Sequence, residues 1–328
     1  MRRPWLAPLN PLYAAGVALR NARIAHVRSM RRLNWPVVSI GNLSTGGAGK
    51  TPLTIVLALL LKGAGFEVDI LSRGYGREGS TPAKVRQEGT AAEFGDEPLL
   101  IAREAGVPVY VAGQRYQAGL LAEADRAGAL RLGVHLLDDG FQHRQLHRDV
   151  DILLINRADW HDSLLPAGNL REPLQAIKRA SVLAIPTDEP ELDAELRKWG
   201  WKGPVWRLQR RIEVPKIDGP VIAFCGIARP EQFFAGLESG GLRVASKIVF
   251  PDHHRYSARD VDRLLAAASS AGAAALITTE KDHVRLGSLN VALSRMFPLK
   301  TARLEIDIED AEGAIQWLME RLHPFTDR

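Results

Sequence analysis

The segment Asn42-Leu-Ser-Thr-Gly-Gly-Ala-Gly-Lys-Thr51 carries the most legible chemistry in this chain. A glycine-rich turn lets backbone N–H groups converge on an anion. The lysine that follows reaches the outer phosphates of a nucleotide, and the hydroxyl next to it can ligate magnesium. Ser44, Thr45, Gly46, Gly47, Ala48, Gly49, Lys50, Thr51 and Pro52 are therefore the expected nucleotide contacts. The strict pattern places glycine at position 44, where this chain has Ser44, but the Gly46–Thr51 core is intact. Magnesium also needs carboxylates, and an apolar run beginning at Val134 ends in Asp138 and Asp139. Alone, Asp-Asp-Gly reads as a turn. At the end of a strand near a phosphate loop it reads, with Thr51, as the metal set.

Other polar clusters fall where loops should be. Ser72-Arg-Gly-Tyr-Gly-Arg77 puts Arg73 and Tyr75 at the ligand-binding edge of a sheet. In Gly95-Asp-Glu-Pro98, Asp96 suits the N-cap of a helix starting near Pro98, a role that needs no chemistry. Gly113-Gln-Arg115 opens a helix, and Asn169-Leu-Arg-Glu-Pro173 carries an adjacent Arg–Glu pair. Phe250-Pro-Asp-His-His-Arg-Tyr256 is the densest cluster of the second half. Without a nearby cysteine or His-x-x-x-His spacing, it does not read as a zinc site. Thr278-Thr-Glu-Lys-Asp282 is an acid–base cluster at a strand end, either structural or in contact with substrate.

The elements that would position these residues alternate in type. Trp35–Gly41 and the runs 66–71, 107–111, 150–155, 181–185, 205–208, 221–225, 274–278 and 304–308 read as strands. Stretches 52–61, 98–105, 114–127, 230–237, 258–271 and 311–322 read as helices. This pattern predicts an α/β fold, a P-loop NTPase-like, mostly parallel sheet with helices on both faces and a smaller C-terminal α/β domain. The expected seam lies in Arg207–Gly219, giving a leader over 1–33, a core over 34–212 and a second domain over 213–328.

Composition bounds the rest. The 328 residues are 46% hydrophobic and 25% charged, which suits a folded globular chain. No apolar run approaches the roughly 20 residues of a membrane span, no secretory signal is evident, and Cys225 alone excludes an internal disulfide. The net charge of +5 is uneven. No acidic residue precedes Glu67, whereas residues 1–66 hold seven arginines, Lys50 and Lys62, so that stretch carries +9 and the remainder −4. Within 9–33, Leu12, Ala15, Leu19, Ala22 and Val27 fall near helical spacing. Arg20, Arg23, Arg28 and Arg31 lie largely on other faces, and Trp5, Leu6, Leu9, Leu12 and Tyr13 form an apolar tip. Such a helix can lie in an anionic membrane interface or dock on its own domain, and both readings stand. Nucleic acid is disfavoured because no recognised binding module accompanies the charge.

Taken in order, Gly41-Asn-Leu with the Gly-Gly-Ala-Gly-Lys-Thr-Pro loop, Ser-Arg-Gly-Tyr-Gly, Gly-Asp-Glu-Pro, Leu-Asp-Asp-Gly-Phe-Gln-His, Leu-Arg-Glu-Pro, Phe-Pro-Asp-His-His and Thr-Thr-Glu-Lys-Asp resemble the tetraacyldisaccharide 4′-kinases of lipid A biosynthesis. The series spans positions 41–282, and Ser44 fits that family's variable loop. The resemblance implies ATP- and magnesium-dependent phosphorylation of the 4′-hydroxyl of an acylated disaccharide 1-phosphate, yielding the lipid A precursor at the cytoplasmic face of the bacterial inner membrane. It implies a C-terminal domain that closes over nucleotide, with no obligate protein partner. It further implies Asp96 as the base, helped by a histidine of Asp-His-His, His253 being favoured over His254. Lys50, Asp139 and His143 join these as catalytic positions. Arg73, Tyr75, Arg115, Gln142, Arg171 and Glu172 are the implied substrate contacts. The main rival is a membrane-associated ATPase switch of the partitioning type, but positions 42–46 lack the second signature lysine such proteins use. A GTPase would want Asn-Lys-x-Asp, and Asn156-Arg-Ala-Asp159 has arginine in place of the lysine.

Overall fold

The structure, a computed structural model, describes residues 3–26, 30–126 and 133–322. After helix α1 (Asn10–His26) come β1 (Val37–Asn42), α2 (Lys50–Gly63), β2 (Glu67–Ser72), β3 (Ala83–Lys84), α3 (Ala91–Phe94) and α4 (Asp96–Glu104). Then follow β4 (Val109–Val111), α5 (Arg115–Asp125), β5 (Gly133–Asp138), β6 (Val150–Leu154), α6 (Arg157–Trp160), β7 (Val182–Pro186), α7 (Pro190–Trp199) and β8 (Val205–Glu213). The remainder supplies β9 (Pro220–Cys225), α8 (Pro230–Ser239), β10 (Arg243–Val249), α9 (Ala258–Ser270), β11 (Ala275–Thr279), α10 (Glu280–Leu286), α11 (Ser288–Met296), β12 (Leu299–Ile308) and α12 (Ala311–Leu322).

The described strands form one sheet in the order β10-β9-β11-β12-β8-β7-β6-β1-β5-β2-β4-β3. Only the β12–β8 and β3–β4 pairs are antiparallel. The inner strands read as unbroken apolar runs because both faces are covered. Val38 and Ile40 of β1, Ile70 and Leu136 pack with Leu53 and Leu57 of α2 and Leu99 of α4. Leu71 and Leu137, one residue on, face Ala118 and Ala122 of α5. The second half repeats the alternation, Val221 and Ala223 facing α8 while Ile222 and Phe224 face α9.

β8 crosses the expected seam. It runs on to Glu213 and pairs with β12 from Leu208↔Ile308 to Arg303↔Glu213. Its charged tail is a strand because alternate residues find cross-strand partners, such as Arg211 with Glu305 at 2.6 Å. β12 begins at Leu299, earlier than its apolar run indicates, because residues 299–302 pair in parallel with β11 before 303–308 pair with β8.

Helix α1 settles on the core by one stripe. Asn10 Oδ1 accepts from Ala167 N (3.3 Å), Tyr13 Oη donates to Arg171 O (3.2 Å), Val17 is buried, and Asn21 Nδ2 donates to Glu172 (3.4 Å). These positions share one helical face. Trp5 and Leu12 remain 76% and 73% exposed, and Leu9 and Leu19 are also open to solvent. The leader thus docks on its own domain with one face and keeps an apolar surface on another. Val27 and Arg28 lie outside the described residues.

Candidate active site

β1 sits in the middle of the parallel block, so the loop leaving its C-terminal end opens onto the crevice where such sheets bind ligands. Gly46 and Gly49 hold φ of 109° and 90°, which side chains rarely adopt, and a Cβ on Gly49 would lie 2.7 Å from Ile306 of β12. Ser44 turns inward, fully buried, and its hydroxyl accepts from Asn42 Nδ2 at 3.0 Å. The loop is strapped from outside by the segment after α6. Arg171 Nε donates to Ser44 O (3.0 Å), Arg171 Nη2 to Asn42 Oδ1 (2.6 Å), and Thr45 N to Asn169 O (2.8 Å). Lys50 Nζ donates to Asn42 Oδ1 at 3.0 Å and lies 3.6 Å from Asp139. Thr51 and Pro52 follow on the cavity wall in the first turn of α2, where proline's missing N–H costs little.

The parallel register Ile40↔Asp138 brings the acidic end of β5 beside this loop. Asp138 is buried, and burial together with Glu97 and Asp139 raises its pKa to about 7. Asp139 takes a left-handed backbone (φ 49°) and is gripped at 3.1 Å by both ends of the Arg171 fork. Burial opposes its charge, but Lys50 and Arg171 hold its carboxyl well below the usual range. Two carboxylates and the Thr51 hydroxyl are oxygen donors of the kind magnesium prefers. Among the described residues no three His, Cys, Asp or Glu side chains could hold a metal by themselves.

Across the cavity stands a knot built from both halves. Gly95 caps α4 with φ 91°, leaving Asp96 as the first helical residue rather than the expected N-cap. A Cβ on Gly95 would lie 2.9 Å from Tyr75 O. Asp96 Oδ2 accepts from Arg285 Nε at 2.5 Å and lies 3.2 Å from His253 Nδ1. Arg285 also donates to Gly226 O (2.6 Å) and Asp282 (3.1 Å), while Lys281 pairs with Glu97 at 2.6 Å. Burial disfavours charge on Asp96, yet His253 and Arg285 keep it well below the ordinary carboxylate range. The bond to Asp96 in turn raises the His253 pKa. His253 (φ 57°) is on the cavity wall and Asp96 lies behind it. His254 instead contacts Asp260 at 3.1 Å and stacks on Phe250, so the adjacent histidines serve different carboxylates and form no metal pair. Arg285 escaped the sequence reading because no motif marks it, three positions after Asp282 on α10.

The cavity measures about 970 Å³ and gathers Arg73, Tyr75, Arg115, Gln142, His143 and Arg171 on its wall. Glu172 is not there: it is fully buried and bound by the Arg179 fork at 2.8 and 3.1 Å. Arg115 is buried with its Nε unpartnered, and burial lowers its pKa to about 10. Burial, with Arg115 nearby, lowers His143 to about 4, so its ring is neutral at pH 7. Gln142 Nε2 donates to Asn42 O at 2.9 Å. Asn156 and Asp159 do structural work: Asn156 caps α6 by accepting from Asp159 N (2.8 Å), and Asp159 pairs with Arg229 (3.2 Å).

A family model described as tetraacyldisaccharide-1-P 4′-kinase matches residues 2–323. A Koribacter versatilis protein named tetraacyldisaccharide 4′-kinase is 43% identical over 325 residues, 95% of this chain and 97% of its own. A Geobacter metallireducens protein of the same name is 39% identical over 332 residues, covering 93% and 94%. The crystal structure of an "apo" form of LpxK from Aquifex aeolicus in complex with ATP is similar at a TM-score of 0.74 and 32% identity, over 97% of this chain and 98% of that one.

Proposed function

The chain belongs to the tetraacyldisaccharide-1-P 4′-kinase family, and we infer that it transfers the terminal phosphoryl group of ATP to the 4′-hydroxyl of a tetraacylated disaccharide 1-phosphate, a step of lipid A biosynthesis. The observation that carries the mechanism is the meeting, on one cavity, of the phosphate loop from the first half with His253 from the second. The triphosphate lies on the N–H groups of Ser44–Thr51, and Lys50 exchanges its bonds to Asn42 and Asp139 for the outer phosphates. Thr51, Asp138 and Asp139 are the residues that would hold magnesium. The ion's chemistry there is to neutralise charge on the phosphate oxygens. Arg115, a buried cation with an unpartnered Nε, faces the same charge.

The acceptor hydroxyl approaches from the His253 side. Its oxygen bonds the terminal phosphorus as the bond to the leaving ADP oxygen breaks, and its proton passes to the Asp96–His253 pair. Asp96 orients the ring through Nδ1 and stays charged, so the pair works as a unit. The contacts Asp96–Arg285, Glu97–Lys281 and Asp159–Arg229 tie residues 213–328 to the core, and they support a second domain that closes over the nucleotide. Among the described residues no helix is long and apolar enough to cross a membrane. The open face of the leader with its arginines supports peripheral attachment to the cytoplasmic face of the inner membrane. Lys50→Ala tests the core of this reading. Glycolipid phosphorylation should fall at least about 10²–10³-fold with the fold retained, and near-normal turnover would show that the loop is not the catalytic cradle.

A further inference from the structure

Helix α10 carries a guanidinium that faces both members of the Asp96–His253 pair. Arg285 has a side chain only 6% exposed, and the end of the Thr278–Asp282 cluster holds it in place. The Thr279 hydroxyl caps α10 by accepting from Asp282 N at 3.1 Å. The buried Asp282 carboxylate accepts from Thr279 Oγ1 (2.7 Å), Tyr256 Oη (3.0 Å), Gly226 N (3.1 Å) and Arg285 Nη1 (3.1 Å). Nη1 also donates to Gly226 O at 2.6 Å, which fixes the plane of the fork. The other edge of the fork is turned to the pair: Nε donates to Asp96 Oδ2 at 2.5 Å, and Nη2 lies 3.2 Å from His253 Nδ1. Asp96 Oδ1 accepts from Glu97 N at 3.0 Å, so both carboxylate oxygens are engaged.

His253 Nδ1 therefore faces a carboxylate and a cation at the same distance, 3.2 Å, with one in-plane site to offer them. When Nδ1 carries the hydrogen it donates to Asp96, and Nε2 is free to accept the proton of the sugar hydroxyl. When Nδ1 accepts from Arg285, Nε2 carries the hydrogen and the ring is no base. After transfer both nitrogens are protonated, and Arg285 opposes the imidazolium that Asp96 holds. The bond to Asp96 raises the His253 pKa, while burial and Arg285 lower it. Asp252 on the same loop and the Tyr75 ring at 5.1 Å also face His253, and Lys281 and Asp282 stand behind Asp96 and Arg285. We propose that Arg285 is a positioning residue for the proton transfer. It holds the Asp96 carboxylate in front of Nδ1 and, by sharing that nitrogen, keeps the pair from retaining the proton once the phosphoryl group has moved. This deepens the kinase reading above and rests on it.

The test follows kcat/KM for glycolipid phosphorylation from about pH 5.5 to 9 in the wild type, Arg285→Gln, Arg285→Lys and Arg229→Gln. ATP affinity reports whether each variant has folded. Arg229→Gln cuts the Asp159 tie between the halves and leaves the pair alone. Arg285→Gln should lower the plateau about 10- to 10²-fold as the ring loses its fixed orientation. It should also move the acid limb up by about one pH unit, because the charge opposing the imidazolium is gone. Arg285→Lys keeps the charge without the fork, so its limb should stay near the wild-type position under a reduced plateau. Nitrogen NMR of histidine-labelled protein reads the same shift without turnover, the His253 resonance being the one that His253→Ala removes. A wild-type profile in Arg285→Gln would overturn the positioning role. So would a lower plateau with limb and His253 titration both unmoved, which would leave Arg285 a tie between the halves, and so would an equal shift of the limb in Arg229→Gln. Should Arg285→Gln lose ATP binding, Arg285→Lys decides alone, and a wild-type plateau there overturns the proposal. Failure of the wild type to phosphorylate the glycolipid would instead overturn the kinase reading, while the His253 titration would still test the link from Arg285 to the pair.

Discussion

Two aspartate–histidine pairs in this molecule use the same groups to different ends. Asp69 of β2 and His135 of β5 are register partners in neighbouring parallel strands, their side chains 2.7 Å apart and fully buried. Glu123 approaches the ring's other nitrogen at 3.5 Å and also accepts from the backbone N–H groups of Asn34 (2.5 Å) and Trp35 (3.0 Å). Burial alone would keep His135 neutral, but the two carboxylates raise its pKa to about 9. The cluster pins the chain as it enters β1, at the end of the sheet away from the phosphate loop. Asp96 and His253 are 157 residues apart, come from different halves, and meet at 3.2 Å beside the cavity with Arg285 as a third member. Here the ring stays accessible and the backbone is left-handed. Among the described residues, Asp139 and His253 alone combine a side chain with positive φ, and both line the cavity. Strain of that kind is held where surrounding contacts over-determine it, as at functional sites. The pair made within the core stabilises; the pair assembled across the cavity is placed to react.

Substitution should separate the two most sharply at the cavity. Asp96→Asn and His253→Ala are each expected to lower glycolipid phosphorylation by about 10²–10⁴-fold, and the double variant to lose less than the product of the single losses. Because Arg285 loses its partner in Asp96→Asn, some stability goes as well, and retained ATP affinity is the control. Full turnover in Asp96→Asn would place the base elsewhere. At the other pair the expected effect moves from rate to stability. Asp69→Ala leaves a charged, buried His135 with only Glu123, at a cost of about 3–5 kcal/mol in a denaturant titration. Turnover per folded molecule should hold, and slowed chemistry at unchanged stability would erase the distinction.

The reach of sequence reasoning follows the same division. The phosphate loop, β1 and the start of α2 were legible because one contiguous segment contains strand, glycines and Lys-Thr. The acidic end of β5 was legible for a similar reason, its apolar run stopping at two carboxylates. Asp96 and the help of His253 could be named only through the resemblance; no spacing in the sequence marks the link, since it depends on the β8–β12 ribbon bringing two halves together. Glu172 was expected at the substrate, yet a position beside Arg171 says nothing of direction. Arg171 turns to Asp139 while Glu172 turns to Arg179. β10 was missed because Arg243-Val-Ala-Ser-Lys-Ile-Val249 is an edge strand with a largely exposed face, where apolar content is low. Asp69 and His135 stood unremarked inside apolar runs, where one polar residue per strand looks incidental until the register is known.

The smallest expected effect lies in the pH dependence of stability, where the enclosed pair should leave a larger mark than the half-exposed His253. His135 binds its proton more tightly folded, near pKa 9, than unfolded, near 6.5. Its contribution is therefore complete below about pH 6.5 and is lost as pH rises through 9, a change of about 3 kcal/mol. His143 has the opposite sign: held near 4, it stabilises the fold above 6.5 and withdraws that support on acidification. Asp96, with its depressed pKa, loses its contribution only in acid. Asp138 and Glu280, both raised to about 7, add a fall of the same sign that is complete by about pH 7.5, so between pH 7.5 and 9 the fall should belong largely to the Asp69–His135 cluster. The sharpest measurement is a series of denaturant midpoints over that window for the wild type and for Asp69→Leu/His135→Leu. Replacing both members of a buried pair with apolar side chains removes the charges without orphaning either one, and often costs little. The wild type should weaken as pH rises while the double variant stays nearly level, and a double variant that fell in parallel would show that the titrating proton is not on His135.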